Sequence, residues 1–277
     1  MRKYQLYFVF CSFVLLAACT PQADHLTILH TNDTHSQVEP KDNGQGGYAR
    51  RMGLIKKERA KDPNLLLVDA GDFSQGTPYF NFYRGRVEID AMNYMGYDAA
   101  TLGNHEFDNG LDSLAMVLRL AQFPVVCANY DFTGTVLDGL VKPFTIVEKG
   151  GLKIGIFGLG CNPGDVISEK NFAPVKYLEP VAPSQAMADT LRALGCDVVV
   201  CLSHMGTYGK AKSDMCDATM VSRTRGIDVV ISGHTHKFYD NLRIANMDGD
   251  SIPVCQMGKS GAYIGKIVLG LSDKMEK

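Results

Sequence analysis

Short apolar runs recur along the chain and are separated by amphipathic stretches, a pattern that predicts buried strands alternating with covering helices. LTIL, NLLLV, AATL and FPVV are bounded by turn-forming residues and read as strands. Between them, YARRMGLIKKERA sets Met52, Leu54 and Ile55 among basic residues. It reads as an amphipathic helix with Arg50, Arg51, Lys56 and Lys57 on a solvated face. VEIDAMNYMGY and LDSLAMVLRLAQ predict two further helices, and a loop carrying Gly76 and Pro78 precedes the first of them. Such a strand–helix alternation implies parallel strands joined by right-handed crossovers.

The middle of the chain changes character. KPFTIVEKGGLKIGIFGLG reads as two strands around Lys149-Gly150-Gly151, a hairpin signal. A helix over about 182–194, the strand VVVCLSH, a helix up to about 225 and the strand VVISGHTH follow. The end is β throughout: NLRIA, a turn at Met247-Asp248-Gly249, SIPVCQMG and AYIGKIVLGLS. Parallel βα units with antiparallel strands at the centre and end predict two mixed sheets packed face to face, with helices outside. The expected fold is thus an α/β protein, a four-layer α/β/β/α sandwich forming one domain over residues 26–277.

The first 25 residues stand outside that domain. Arg2 and Lys3 precede the apolar stretch Leu6–Ala18, which is shorter than the roughly 20 residues a membrane-spanning helix needs. It ends in Leu16-Ala17-Ala18-Cys19, which resembles the lipobox of bacterial lipoproteins. That resemblance implies a signal peptide over 1–18, lipidation at Cys19, a tether over 19–25 and an exported, membrane-anchored protein, periplasmic or on the cell surface.

Composition narrows the function. With 28 Lys and Arg against 30 Asp and Glu, the formal net charge is −2. No basic run resembles a nucleic-acid footprint, so a polymeric nucleic acid is not the expected partner. The eight cysteines show no C-x-x-C spacing, which argues against a zinc knuckle or a thioredoxin-like motif. Cys127 and Cys201 sit inside apolar strands, as small hydrophobes do, and buried reduced thiols are expected.

The chemistry lies at the strand ends. Asp33 and His35 in HTNDTH, Asp72 in DAGDF, Asn104 in GNHE, His204 in LSHMG, and His234 and His236 in SGHTH each follow an apolar run. In open α/β sheets the carboxyl ends of strands converge on the ligand crevice. Three oxygen and four imidazole donors suit Zn²⁺, Mn²⁺ or Fe better than an all-oxygen calcium cage. Seven donors exceed the needs of one tetrahedral ion, and two divalent ions sharing a carboxylate is a phosphoester-hydrolase arrangement. His30 alternates away from Asp33 and His35 and reads as structural.

Taken together, HTNDTH, VDAGDFSQGTP, MGYDAATLGNHEFDNG, FPVVCANY, SHMG and SGHTH resemble the secreted 5′-nucleotidases, a branch of the calcineurin-like metallophosphoesterases. The resemblance runs from about Leu26 to Leu271 and implies the metallo-dependent phosphatase fold. It implies one ion held by Asp33, His35, Asp72 and His236, and a second held by Asp72, Asn104, His204 and His234, with Asp72 bridging. It further implies that His105, oriented by Asp108, stabilises the phosphoryl oxygens or protonates the leaving alkoxide. The implied substrate is a small phosphoester, a nucleotide above all. A cyclic-nucleotide phosphodiesterase, a sugar-nucleotide hydrolase and a catalytically idle metal-binding scaffold are the alternatives. Family members also carry a C-terminal nucleotide-binding domain. None is expected within these 277 residues, so a separately encoded domain of that type is the expected partner.

Overall fold

In the computed structural model, residues 23–209 and 214–271 are described; the signal peptide expected over 1–18 and Cys19 lie outside the described residues. The first half supplies β1 (His25–Thr31), α1 (Tyr48–Lys61), β2 (Leu66–Asp69), α2 (Pro78–Tyr83), α3 (Arg86–Met95) and β3 (Ala99–Thr101). After a 3₁₀ turn at His105–Phe107 come α4 (Gly110–Leu118), β4 (Val125–Val126), β5 (Tyr130–Asp131) and β6 (Val141–Lys142). The second half contains β7 (Phe144–Lys149), β8 (Leu152–Gly160), α5 (Pro163–Val166), α6 (Glu169–Phe172), β9 (Lys176–Tyr177) and α7 (Val181–Ala193). It ends with β10 (Val198–His204), α8 (Asp217–Ser222), β11 (Val229–Ser232), β12 (Phe238–Ala245), β13 (Ser251–Met257) and β14 (Gly265–Gly270).

Two six-stranded mixed sheets result, ordered β14-β1-β2-β3-β4-β6 and β12-β13-β11-β10-β8-β7. Neighbours in the interior of each sheet run parallel; β14 on β1, β12 on β13 and β7 on β8 run antiparallel at the edges. Strand alternation sorts side chains into layers. Leu66 and Val68 of β2 face Ile154, Val198 and Val200 in a core between the sheets. Leu67 turns the other way, onto Ile89 and Leu114 of α3 and α4. On the far side Phe157, Val199 and Cys201 pack against Leu191 of α7 and Met220 of α8. Three cores between four layers make the expected sandwich. Truncating a fully buried member such as Ile156 to Ala would cost about 2–5 kcal/mol.

Several local expectations need correction. The buried stripe of α1 is Arg51, Ile55 and Glu58, while Leu54 is 42% exposed. Arg51 is therefore inside the protein, not on a solvated face. FPVVCANY is not one strand: Asn129 exchanges two side-chain hydrogen bonds of 2.8 Å with the backbone of Gly160, replacing a ladder and turning the chain into β5. The segment read as a loop after Gly76 contains α2, which starts with Pro78 in its first turn, where proline's fixed φ suits a helix. Helix α8 covers only Asp217–Ser222. Cys127, Cys161, Cys196, Cys201, Cys216 and Cys255 are buried and free, as expected.

Candidate metal centre

Parallel register brings the strand ends level. Thr31 of β1 pairs with Asp69 of β2, and Ser203 of β10 with Ser232 of β11. Beyond Thr31 the pairing continues between loops: Asp33 N–H donates to Gly71 O and His35 N–H to Asp72 O, both at 2.9 Å. This two-loop ladder sets Asp33, His35 and Asp72 side by side. His236 completes the group, and one donor atom from each of the four lies within 4.8 Å of the others.

Asn104, His204 and His234 attach to the same cluster. His204 Nε2 lies 3.0 Å from Asp72 Oδ2. His234 Nδ1 lies 3.0 Å from Asn104 Oδ1. The rings of His204 and His234 meet edge-on at 5.3 Å. All seven sequence-selected residues therefore converge at the tops of β1, β2, β3, β10 and β11.

The backbone is shaped for this approach. Asp33, His35, Asp72, His234 and His236 all have left-handed φ between 46° and 73°. Each such non-glycine residue costs on the order of 1 kcal/mol or more, and such strain collects at functional sites. Gly103 is required by proximity: an added Cβ would lie 2.1 Å from Asp72 Oδ1.

Three residues outside the sequence-selected set hold the cluster. Asn32 donates to Asp33 Oδ2 at 2.6 Å while its own Oδ1 accepts from Met257 N–H. Gln256 accepts from Lys237 N–H and donates to Gly233 O, bracing the loop of His234 and His236. Glu106 accepts the N–H groups of Asp72, Ser74 and Gly103. Burial and the neighbouring Asp72 carboxylate push the Glu106 pKa up to about 8. Asn32 and Glu106 flank Asp33 and His105 in the motifs themselves, the one signal that could have found them.

The donor set fits divalent cations. His204 Nδ1 donates to Ala70 O at 2.7 Å, which fixes the tautomer and directs Nε2 at the carboxylates. That Nε2 is buried and has no partner of hydrogen-bonding geometry among the described residues. Burial lowers the His204 pKa, but the Asp72 and Asp33 carboxylates outweigh it and raise it to about 10. A proton thus stands where a cation would pair with the same acids. Burial lowers His35 and His234 to about 4, leaving neutral imidazoles able to ligate.

At the rim, His105 Nδ1 meets Asp108 Oδ2 at 2.9 Å. This bond raises the His105 pKa despite partial burial. The His105 ring sits 5.4 Å from that of His35, and its backbone N–H donates to Asp72 Oδ1 at 2.9 Å.

Residues 26–238 match the calcineurin-like phosphoesterase family. The chain belongs to that family. The chain is 36% identical to a snake venom 5′-nucleotidase of Naja atra over 90% of its length, and 32% identical to the 5′-nucleotidase of Rattus norvegicus over 92%. It spans about half of these relatives, 51% and 48% of their lengths. Among solved structures it superposes on a 5′-nucleotidase precursor from Thermus thermophilus with a TM-score of 0.80 and 35% identity, covering 88% of this chain and 51% of that one. The calcineurin-like phosphoesterase YfkN from Bacillus subtilis gives 0.74 and 28% identity, covering 92% of each chain. The fold expected from the motifs is thus the family fold of this chain. No helix among its described residues is long and apolar enough to cross a membrane.

Proposed function

We propose that the chain hydrolyses small phosphomonoesters of 5′-nucleotide type at two divalent cations. One ion is assigned to Asp33, His35, Asp72 and His236, the other to Asp72, Asn104, His204 and His234, with Asp72 shared. The observation that carries this reading is the meeting of four donor groups within 4.8 Å, with the His105–Asp108 pair at their edge.

Bound cations would polarise the phosphoryl oxygens and acidify the attacking water. The chain's own groups do the rest. Asp108 holds His105 Nδ1, so Nε2 is the nitrogen free to meet substrate. The Asp108 hydrogen bond raises the His105 pKa and so favours the imidazolium, which can steady a phosphoryl oxygen and then protonate the departing alkoxide. Asp33 is locked by Asn32 and by His234 N–H, which reaches both carboxylate oxygens at 3.0 and 3.1 Å. The site is therefore ordered before substrate arrives, as electrostatic catalysis requires.

A further domain completes substrate reading in this account, either within a longer polypeptide or separately encoded. The support is that the nucleotidase relatives are about twice the length matched here. A second reading is cleavage of a pyrophosphate-linked nucleotide. It is favoured by 30% identity and a TM-score of 0.77 to the NAD nucleotidase of Haemophilus influenzae. The experiment is kcat/KM for AMP, CMP, ribose 5-phosphate, a cyclic nucleotide, a sugar nucleotide and NAD with Mn²⁺ or Zn²⁺. Preference for AMP and CMP over the diesters is expected. Hydrolysis of none of them would leave a scaffold role.

Anchoring through an acylated Cys19 belongs to the same proposal and rests on the Leu16-Ala17-Ala18-Cys19 sequence. Cys19→Ala should abolish metabolic labelling with palmitate; unchanged labelling would refute it.

A further inference from the structure

One buried amide reaches two of the loops that carry metal-ligand residues. Gln256 of β13 is fully buried, and its side chain meets the stretch that carries His234 and His236. Its Nε2 lies 3.0 Å from Ser232 Oγ and from Gly233 O. Its Oε1 accepts from Lys237 N–H at 2.6 Å and from Thr235 Oγ1 at 3.1 Å. Residues 233, 235 and 237 are thus held by a single side chain. His234 and His236 alternate with them and turn to the cluster. His236 Nε2 lies 3.3 Å from Asp33 Oδ1, and His234 Nδ1 lies 3.0 Å from Asn104 Oδ1. Both histidines have left-handed backbones, with φ of 73° and 55°, and such strain persists only where the surroundings over-determine it.

The same amide extends to the loop that follows His204. Thr207, also fully buried, places its Oγ1 3.0 Å from Gln256 Nε2 and 2.8 Å from Ser232 Oγ. The two loops touch, since an added Cβ on Gly206 would lie 2.7 Å from Thr235 Cγ2. From the other side Asp217 of α8 donates its N–H to Gly206 O at 2.9 Å and accepts from Ser203 Oγ at 2.5 Å. Loops from β10 and β11, with three imidazoles between them, are therefore bound to one side chain on a third strand.

We propose that Gln256 is a positioning residue for both cations. It presents His234 and His236 together, one to each ion, and through Thr207 it places His204 beside them. The inference rests on the assignment of two ions to the Asp72 cluster. Gln256 touches neither ion nor substrate and acts through the three histidines. Partners that orient metal-ligating side chains typically contribute about 10–100-fold in metal affinity.

The test is equilibrium dialysis of Co²⁺ against the full chain, with the visible absorption of the bound ion read on the same samples. Gln256→Met, similar in length but without the amide, should weaken both equivalents by about 10–100-fold and alter the absorption at saturation. Thr207→Val cuts the link to the His204 loop. It should weaken one equivalent, that of Asp72, Asn104, His204 and His234, on the order of tenfold. Thr207→Ser returns the hydroxyl and should return parent affinity. A merely structural role would lower the urea midpoint of the metal-free variants and leave Co²⁺ affinity and absorption at parent values. That result would overturn the proposal. If Gln256→Met does not fold, the Thr207 pair decides alone, and parent affinity in Thr207→Val would overturn it. Hydrolysis is not read here, so the two readings fail separately. The phosphomonoesterase reading fails on a metal-loaded parent without activity, and this one on variants that bind Co²⁺ as the parent does.

Discussion

The backbone N–H of Asp72 donates to the Glu106 carboxylate at 2.9 Å, so a residue from the loop after β3 fixes the loop after β2. The same carboxylate takes Ser74 N–H at 3.0 Å and Gly103 N–H at 2.6 Å. Three buried donors on two loops thus share one acceptor, and the position of Asp72 depends on it. Glu106→Ala strands those donors. With 1–3 kcal/mol for each unsatisfied buried group, the expected loss is roughly 3 kcal/mol or more. Urea denaturation of the variant measures it, and a loss below about 1 kcal/mol would show that the loops hold themselves.

His105 and Asp72 should fail in different ways. His105→Ala is expected to keep its metal content and lose roughly 10²–10⁴-fold in rate, the range of a positioned proton-transfer group. Asp72→Ala should lose metal, because the proposal gives it to both ions. Elemental analysis beside steady-state rates separates the two. A metal-free His105 variant, or one at full rate, would contradict the assignment.

His30 makes stability sensitive to acid. It is fully buried with both ring nitrogens unpartnered among the described residues, and burial lowers its pKa from 6.5 to about 4. As pH falls, the unfolded chain takes up the proton first. The contribution is present above pH 6.5 and drains away toward pH 4, on the order of 3 kcal/mol in full. In metal-loaded protein, where ligand histidines are held, His30→Leu should flatten the fall in urea midpoint between pH 7 and pH 4. Parallel slopes for variant and parent would count against it.

The strand-end motifs were legible because short apolar runs and the ligand-type residues after them are local in sequence. His30 could likewise be placed, since strand alternation alone turns it from the metal loops. Arg51 could not: its neighbours made α1 look like a helix with a basic outer face, and only packing shows that Arg51, Ile55 and Glu58 form the buried stripe. Glu58 is tolerated there because Lys266 of β14 meets it at 2.7 Å, a contact 208 residues away in sequence. The break between β4 and β5 was hidden for a similar reason, because Asn129 finds its partner only in the other sheet. Glu106 stood inside a recognised motif, yet its three donors come from two loops that only the fold brings together.

The central claim is that hydrolysis requires two cations at the Asp72 cluster. The most direct measurement is metal content and AMP hydrolysis on one sample, after chelation and during stepwise return of Mn²⁺ or Zn²⁺. The account predicts negligible rate in the stripped chain and recovery that completes at two ions per chain, with Asp72→Ala recovering neither. Full hydrolysis by the stripped chain, or full recovery in Asp72→Ala, would contradict it.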